Sequence, residues 1–341
     1  MQLSACLAIT CLILSSLCVE PEAAITRFEF SERHMGTEFQ IVLYARNAEV
    51  AVRASKAAFD RIARLDAIMS DYNETSELNR ACREGAKRWV EVSNDLFHVL
   101  EISQNISEKT EGAFDVTIGP MTKLWRRARR TGQLPDKERL QKTRELVGYK
   151  KLQLDRKSRS IRLEESGMTL DLGGIAKGLA ADEALSVLRR SGIRMALVVA
   201  GGEVAMSDAP PGASGWKVEI ASAGRRPMFV VLKNCAVSTS GDAEQFFEVD
   251  GIRYSHVIDP RTGQPITGQN SVTVIAPGGV ISDAWATALG VLDAEKGISL
   301  IEKVKDVAAL IIRVESDKVR AFESKRWSAV EKASVNRPDN Q

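Results

Sequence analysis

The N-terminal part of the chain contains two short segments, FEF and FQIVLYA, in which hydrophobic and polar positions alternate, and this spacing predicts two β-strands. Over residues 48–69 the apolar positions recur at helical spacing instead, and a second helix is predicted over residues 94–109 with Ser93 as its N-cap. Residues 131–150 are polar and rich in turn formers, so we expect a surface connection with one polar helix there.

Six further segments, KLQLD, SIRL, ALVVA, WKVEI, MFVVL and SVTVIA, predict strands in the second half of the chain. Helices are predicted among them at about 174–190, 282–293 and 295–304. A doubly wound sheet needs regular helical crossovers between its strands, and this order has few. The pattern therefore favours an α+β fold.

The first 24 residues differ from the rest, because positions 1–19 carry no charge and include the apolar run CLAITCLILSSLCV. We interpret residues 1–24 as a signal peptide or lipoprotein leader, residues 25–328 as one folded domain, and residues 329–341 as a flexible tail. Cleavage before Cys6 would give a lipoprotein, and cleavage after the small residues at 16–18 a soluble protein. Either route implies export to the periplasm or anchoring to the membrane facing it. A buried N-terminal helix is the alternative.

The balance of charged residues argues against a nucleic-acid-binding protein. The 341 residues have a net charge of +2, which leaves no electrostatic footprint for nucleic acid. The basic run RRARR at 126–130 is interpreted as a solvated helix face, with phosphate binding as the alternative.

Cysteine usage argues against a zinc site. Of five cysteines, three lie in the leader, and Cys82 and Cys235 are not part of any CxxC or Cys/His set. Two buried free thiols are the expected state of this pair, with a disulfide left open.

The segment SHVIDPRTG at 255–263 supplies the first candidate for chemistry. A histidine side chain ordinarily titrates near neutral pH, so His256 could remove a proton from a weak nucleophile, although a lone histidine is often structural. Asp259 is expected to cap the following turn, and Arg261 to shape it or to touch a phosphate.

Two glycine-containing segments suggest phosphate and metal binding. GGIAKG at 173–178 is neither GxGxxG nor a Walker A loop, which disfavours a Rossmann or P-loop site. Asp171 is expected to end a strand, after which the glycines would let the backbone approach a phosphate before a helix, unless this is a plain strand-to-helix turn.

In ISDAWAT at 281–287, Asp283 and Thr287 lie four residues apart at a predicted helix start, so their oxygens share one face and suit Mg²⁺. The alternative is helix capping, with Ser282 as the N-cap and Asp283 favouring the positive helix end.

Several motifs occur together in one order: HMGTEFQIVLYA, MSDYNETSELNR, AFDVTIGP, LDLGGIAKG, VSTSGD, SHVIDPRTG and ISDAWATAL. In order and spacing they resemble the bacterial flavin transferases of the ApbE family over about residues 30–315. The resemblance implies an α+β fold of two interleaved α/β subdomains with mixed or antiparallel sheets and FAD in the cleft between them. It also implies an enzyme that takes FAD and Mg²⁺, splits the pyrophosphate and attaches FMN by a phosphoester to a Thr or Ser of a partner protein, with release of AMP.

The resemblance also implies the site residues. Met35 and Tyr72 would lie at the flavin ring, although Tyr72 taken alone is better interpreted as a core aromatic. The metal would be held by Asp283, Thr287 and backbone oxygens at Gly174 and Ala286. His256 and Asp283 would be the catalytic residues, with His256 as the general base. The other expected FAD contacts are Ala113, Phe114, Asp115, Asp171, Lys177, Thr239, Ser240, Gly241 and His256. Ala243 departs from the family pattern, which usually has an aromatic there.

The expected partner is an exported or membrane-associated acceptor with a Ser/Thr flavinylation motif. Two other functions stay open: an FAD pyrophosphatase that passes FMN to water, and a protein that stores FAD without chemistry. The presence of both Asp283 and Thr287 argues against storage, because storage needs no phosphoryl activation. The sequence does not distinguish Mg²⁺ from Mn²⁺, since both accept these ligands.

Overall fold

The computed structural model describes residues 25–220, 228–241, 246–315 and 318–333. The strands are β1 Thr26–His34, β2 Thr37–Ala45, β3 Val90–Glu91, β4 Leu152–Asp155, β5 Ser160–Leu163, β6 Ala196–Ala200, β7 Glu203–Met206, β8 Trp216–Ile220, β9 Met228–Leu232, β10 Cys235–Gly241, β11 Phe246–Val249, β12 Ile252–Asp259, β13 Gln264–Thr267, β14 Gln269–Ala276, β15 Ala308–Glu315, β16 Lys318–Glu323 and β17 Lys332–Ala333. The α-helices are α1 Ala48–Met69, α2 Glu77–Gly85, α3 Asn94–Lys109, α4 Gly119–Thr131, α5 Lys137–Arg144, α6 Ala176–Arg190, α7 Gly279–Val291, α8 Ala294–Ile301 and α9 Lys325–Ser328.

An eight-stranded sheet in the order β1-β2-β6-β7-β10-β14-β15-β16 forms the centre of the fold, and three smaller sheets, β11-β12-β13, β17-β9-β8 and β3-β5-β4, surround it. Every pairing between described strands is antiparallel. The observed α+β architecture confirms the predicted fold class.

Alternation along the strands divides the core between the two faces of the central sheet. In β2, Phe39, Ile41 and Leu43 belong to the large core that includes residues of α1, α6 and α7. Val42 points to the other face, where a second core contains Trp216 of β8 and residues of β9 and α9. Successive side chains of a strand point to opposite faces, so both sides of the sheet are covered.

Most predicted elements are present with small differences in their bounds. The helix at 48–69 and the helix at 94–109, capped by the Ser93 side chain on the amide of Leu96, are confirmed. The predicted polar helix within 131–150 is α5.

Three predictions about local structure are wrong. Asp171 does not end a strand: it lies in a loop, where its amide donates to the Val116 carbonyl at 2.8 Å. Helix α7 begins at Gly279 rather than at Ser282, so Ser282 is not its cap and Asp283 lies inside the first turns. The tail was expected from residue 329, but β17 pairs with β9, so the described fold extends to residue 333.

The predicted leader at 1–24 and the end of the predicted tail at 334–341 lie outside the described residues. Among the helices that the structure describes, none combines the length and the hydropathy needed to cross a membrane. Cys82 and Cys235 are both free thiols; Cys82 is buried as expected, whereas Cys235 is half-buried.

Candidate functional site

A cavity of about 1190 Å³ opens between the helices and the β11-β12-β13 sheet. Fourteen of the fifteen predicted site residues line it: Met35, Tyr72, Ala113, Phe114, Asp115, Asp171, Gly174, Lys177, Thr239, Ser240, Gly241, His256, Asp283 and Thr287. Ala286 does not line it, because its side chain is buried within α7 in the large core. Pockets for drug-sized ligands are usually about 300–1,000 Å³, so this cavity has room for a larger molecule such as a dinucleotide.

The hairpin turn between β1 and β2 forms one end of the cavity. Met35 and Gly36 have φ of 49° and 76°, the pair of positive values that a two-residue type I′ turn requires. The amide of Met35 donates to Oδ2 of Asp66 at 2.8 Å, so helix α1 holds the turn in place. Met35 therefore stands at the cavity wall on an ordered support.

A charged cluster surrounds Tyr72. The prediction of a core aromatic is wrong, since Tyr72 is 76% exposed, and its ring lies 4.3 Å from the guanidinium carbon of Arg126. Arg126 also donates to Asp71 and, at 3.3 Å, to Oδ2 of Asp171. The interpretation of RRARR as a solvated face therefore fails at Arg126, while Arg127 and Arg130 are exposed.

The carboxyl groups in this cluster influence each other. Burial raises the pKa of Asp71, and the nearby charge of Asp171 adds to this effect, while Arg126 opposes both. The carboxyl groups of Asp71 and Asp171 and the guanidinium of Arg126 thus lie beside the exposed Tyr72. Flat aromatic and guanidinium groups at a cavity wall suit a flat, conjugated ligand.

Asp115 forms the cavity floor together with the buried Ala113 and Phe114. Its Oδ1 accepts the amide of Thr117 at 2.8 Å and the Thr117 hydroxyl at 2.7 Å. Burial outweighs these hydrogen bonds and raises the pKa of Asp115 to about 6. Asp115 also borders a smaller cavity of about 390 Å³.

The loop that contains the glycine pair brings its backbone against α7. Oδ1 of Asp171 accepts the amide of Gly173 at 2.8 Å. A Cβ on Gly174 would lie 2.8 Å from Oγ1 of Thr287, so the Gly174 backbone and the Thr287 side chain are close neighbours. Two of the predicted metal-binding residues are therefore adjacent.

Asp283 is almost fully buried at the cavity wall. Its Oδ2 accepts the amide of Gly178 at 3.0 Å and lies 3.8 Å from Nζ of Lys177. Burial alone would lower the pKa of Lys177, but the charges of Asp283, Glu203 and Asp171 outweigh it and raise that pKa.

Sequence reasoning missed Glu203, which shares this corner. Burial, the charge of Asp283 and contact with that carboxyl raise the pKa of Glu203 well above its ordinary value, against the effect of Lys177. A signal was available, because Glu203 is a charged residue in the otherwise apolar segment VVAGGEVAM.

The Thr239–Gly241 segment is the end of β10. The amide of Thr239 donates to the Gly202 carbonyl at 2.9 Å, and a Cβ on Gly202 would lie 2.5 Å from the Thr239 carbonyl oxygen. This close approach requires glycine at 202 and fixes the strand end against the loop before β7. Asp242 and Ala243 lie outside the described residues.

His256 is exposed on β12 at the cavity wall. The pairing of β12 with β13 shifts register between Tyr254 and Ile258, and a bulge of this kind re-aims the side chains next to it. Beyond it, Asp259 accepts two side-chain hydrogen bonds from Arg261, at 2.9 and 2.8 Å, and one from its amide. The turn prediction for Asp259 is confirmed.

The oxygen donors near Asp283 fit a hard cation. The described residues contain no group of three His, Cys, Asp or Glu side chains placed to hold a metal ion. Mg²⁺ does not need one, because it usually takes one or two carboxylates and completes its shell with water and substrate phosphates. Asp283, the Thr287 hydroxyl and the Gly174 backbone are donors of this kind.

Comparisons of the sequence with known proteins show its family. The sequence model of the ApbE family matches residues 35–311. The chain is 30% identical over 291 residues to an FAD:protein FMN transferase of Klebsiella pneumoniae, covering 85% of this chain and 90% of the relative. It is 31% identical over 309 residues to one of Treponema pallidum, covering 85% of each.

Solved structures show the same likeness. The flavin transferase ApbE from Vibrio cholerae matches with a TM-score of 0.82 and 27% identity, over 90% of this chain and 100% of that one. The ApbE protein of Thermotoga maritima matches with a TM-score of 0.81 and 28% identity, over the same shares. By sequence and by structure, the chain belongs to the ApbE family.

Proposed function

We propose that this protein transfers the FMN part of FAD to a Ser or Thr hydroxyl of an acceptor protein in a Mg²⁺-dependent reaction that releases AMP. The observation that carries the proposal is that one cavity gathers Tyr72, the buried carboxylate of Asp283 with the hydroxyl of Thr287, and His256 from distant parts of the chain. Flavin transfer is the activity named for the relatives above, and the finer chemistry is inferred from the residues.

The cavity has two chemically different ends. Tyr72 and Met35 would hold the flavin ring, because they present an aromatic face and an adaptable thioether at the open wall. Lys177 and the Gly173–Gly174 backbone would lie at the pyrophosphate, whose negative charge they can offset. Asp283, Thr287 and the Gly174 carbonyl would hold Mg²⁺, which when bound withdraws charge from the phosphate oxygens.

In the transfer step, the acceptor hydroxyl oxygen bonds to the FMN phosphorus as the bond from that phosphorus to the AMP phosphate oxygen breaks. The hydroxyl proton passes to His256, whose exposed position on β12 lets it meet a group that arrives from solvent. AMP leaves with the oxygen of the broken bond. General base catalysis of this type contributes about 10²- to 10⁴-fold.

The test combines the purified protein with FAD, Mg²⁺ and an acceptor domain that carries a Ser/Thr flavinylation motif, followed by intact-mass spectrometry of the acceptor. We expect a gain of one FMN with release of AMP, lost in His256→Ala and Asp283→Ala. His98→Ala and Asp60→Ala are matched controls at exposed helix positions.

Other outcomes assign the alternatives. AMP and FMN appearing while the acceptor is unchanged would indicate an FAD pyrophosphatase. Intact bound FAD with no AMP across several acceptors would indicate a storage protein.

We also propose that the protein is exported and that its acceptor is exported or membrane-associated, on the basis of the composition of residues 1–24. Fractionation of cells that express the full chain tests this proposal.

A further inference from the structure

Glu203 is a buried carboxylate that the proposed chemistry does not yet use. It is 5% exposed, is the first residue of β7 and lines the large cavity. Its Oε2 makes no hydrogen bond to any residue that the structure describes. Leaving a buried carboxylate oxygen without a partner costs free energy, so its presence at a cavity wall needs a reason.

The neighbours of Glu203 do not balance its charge. Its carboxyl group contacts that of Asp283 and the side chain of Ser238. The nearby ammonium of Lys177 lies 3.8 Å from Oδ2 of Asp283 and donates its hydrogen bond to the Gly173 carbonyl at 3.0 Å. Two carboxyl groups thus meet in a buried corner with one ammonium beside them. Like charges this close repel unless a proton or a cation lies between them.

The other acidic pair of the cavity shows what a balanced arrangement looks like here. Arg126 donates hydrogen bonds to both Asp71 and Asp171. At Glu203 and Asp283 no comparable fork is present among the described residues, and one oxygen stays unpartnered. The carboxyl charge without a matching cation therefore lies in the corner that also contains Thr287 and the Gly174 backbone.

A divalent cation would remove the repulsion between two carboxyl groups in contact, because both could be ligands of the same ion. Mg²⁺ binds oxygen at about 2.1 Å in octahedral geometry, which places neighbouring ligand oxygens about 3 Å apart, a hydrogen-bonding distance. Two carboxylates are also within the number that Mg²⁺ commonly takes from a protein.

We propose that Glu203 supplies a second carboxylate to the divalent-cation site, alongside Asp283 and the Thr287 hydroxyl. This inference rests on the proposed function, because it assumes that Asp283 holds a cation. It assigns the unpartnered Oε2 to that cation, and it explains why an acidic residue occupies the start of an apolar strand.

A cation-binding role and a purely structural role for Glu203 predict different effects of Glu203→Gln on the stability of the metal-free protein. If the carboxylate serves the cation, Glu203→Gln removes a like-charge contact and leaves the metal-free protein at least as stable as the wild type. If it serves the fold, the same change lowers the melting temperature of the metal-free protein. The glutamine amide has nearly the same shape as the carboxylate, so the substitution leaves no cavity that would itself lower the melting temperature.

The experiment titrates the purified protein with Mn²⁺, whose free concentration is read by electron paramagnetic resonance, and records melting temperatures with and without Mg²⁺. We expect Glu203→Gln to raise the Mn²⁺ dissociation constant at least tenfold and to reduce the Mg²⁺-induced rise in melting temperature. Glu219→Gln, at an exposed position of β8, is the matched control and should behave as the wild type.

The outcomes separate this inference from the proposed function. Mn²⁺ binding by Glu203→Gln within twofold of the wild type, with binding lost in Asp283→Asn, would overturn the role of Glu203 and leave the cation site in place. Absence of Mn²⁺ binding by the wild type, both without and with FAD, would overturn both. If Glu203→Gln does not fold, Glu203→Asp keeps the charge on a shorter side chain, and unchanged Mn²⁺ affinity there would also count against the role.

Discussion

Asp115 makes the stability of this protein depend on pH in a direction that can be worked out. Its folded-state pKa is raised to about 6, so the native state binds this proton more tightly than the unfolded chain does. The stability associated with this proton is fully present below the unfolded pKa and is lost as the pH rises through the folded pKa. The wild type should therefore lose stability from this group between about pH 4 and pH 6.

The magnitude follows from the shift. A rise of about two pKa units corresponds to about 3 kcal/mol of destabilisation once the carboxyl is ionised. Asp115→Asn removes the ionisation and keeps an oxygen that can accept from the Thr117 amide and hydroxyl. The Tyr149 amide also acts on the carboxylate, and a misplaced carboxamide there costs about 1 kcal/mol.

We therefore expect Asp115→Asn to be more stable than the wild type by about 2 kcal/mol near pH 8 and less stable by about 0.5 kcal/mol near pH 4, where the unfolded carboxyl is already about half ionised. Urea unfolding followed by circular dichroism at several pH values between these limits measures the difference. The free-energy curves of the two proteins should cross between about pH 4 and pH 5. A difference that stays constant with pH, or a variant that is less stable at pH 8, would refute the reasoning.

Three further changes test the structure. Arg126→Leu should cost about 2 kcal/mol in urea unfolding, below the range for fully buried pairs because its side chain is about a third exposed, whereas Arg127→Leu should change stability by less than about 0.5 kcal/mol. Gly178→Ala should cost about 3 kcal/mol in the same assay, because its Cβ would lie 2.1 Å from the Gly279 carbonyl oxygen; a cost below about 1 kcal/mol would mean that α6 and α7 separate easily. Trp125→Phe removes the indole donor to a carbonyl of the β12–β13 turn, at 2.8 Å, and should lower stability by about 1–2 kcal/mol, while an unchanged midpoint would show that water replaces this bond.

The elements that the sequence predicted well are those whose signals are local. Helix α1 ends where its apolar periodicity ends, and its start is fixed by the Asn47 side chain, which accepts the amide of Val50 at 2.9 Å. The start of α7 could not be predicted in this way. Asp182, on α6, accepts the amides of Gly279 and Val280 at 2.6 and 3.0 Å, so the cap lies about a hundred residues away in the chain.

The sequence predicted which residues form the site, but not how their charges are paired. The resemblance supplied Tyr72, Asp171 and Asp283 as separate positions along the chain. It did not indicate that Arg126 bridges Asp71 and Asp171, because the partners are 55 and 45 residues away and helix periodicity assigns all the arginines of α4 to one polar face. Contacts of this length are properties of the fold and leave no local pattern.

Two groups of carboxyl side chains have opposite effects on folding. Asp71, Asp115 and Glu203 line the cavity and have raised pKa values. The contribution of each to the stability of the folded protein is therefore lost as the pH rises through its folded pKa. Asp95, outside the cavity, has its pKa lowered by hydrogen bonds from Arg61, so its contribution is present above its unfolded pKa and is lost as the pH falls through the folded one. Binding of Mg²⁺ with a substrate should stabilise the protein more at pH 8 than at pH 5, because Mg²⁺ binds carboxylate ligands only after they have lost their protons.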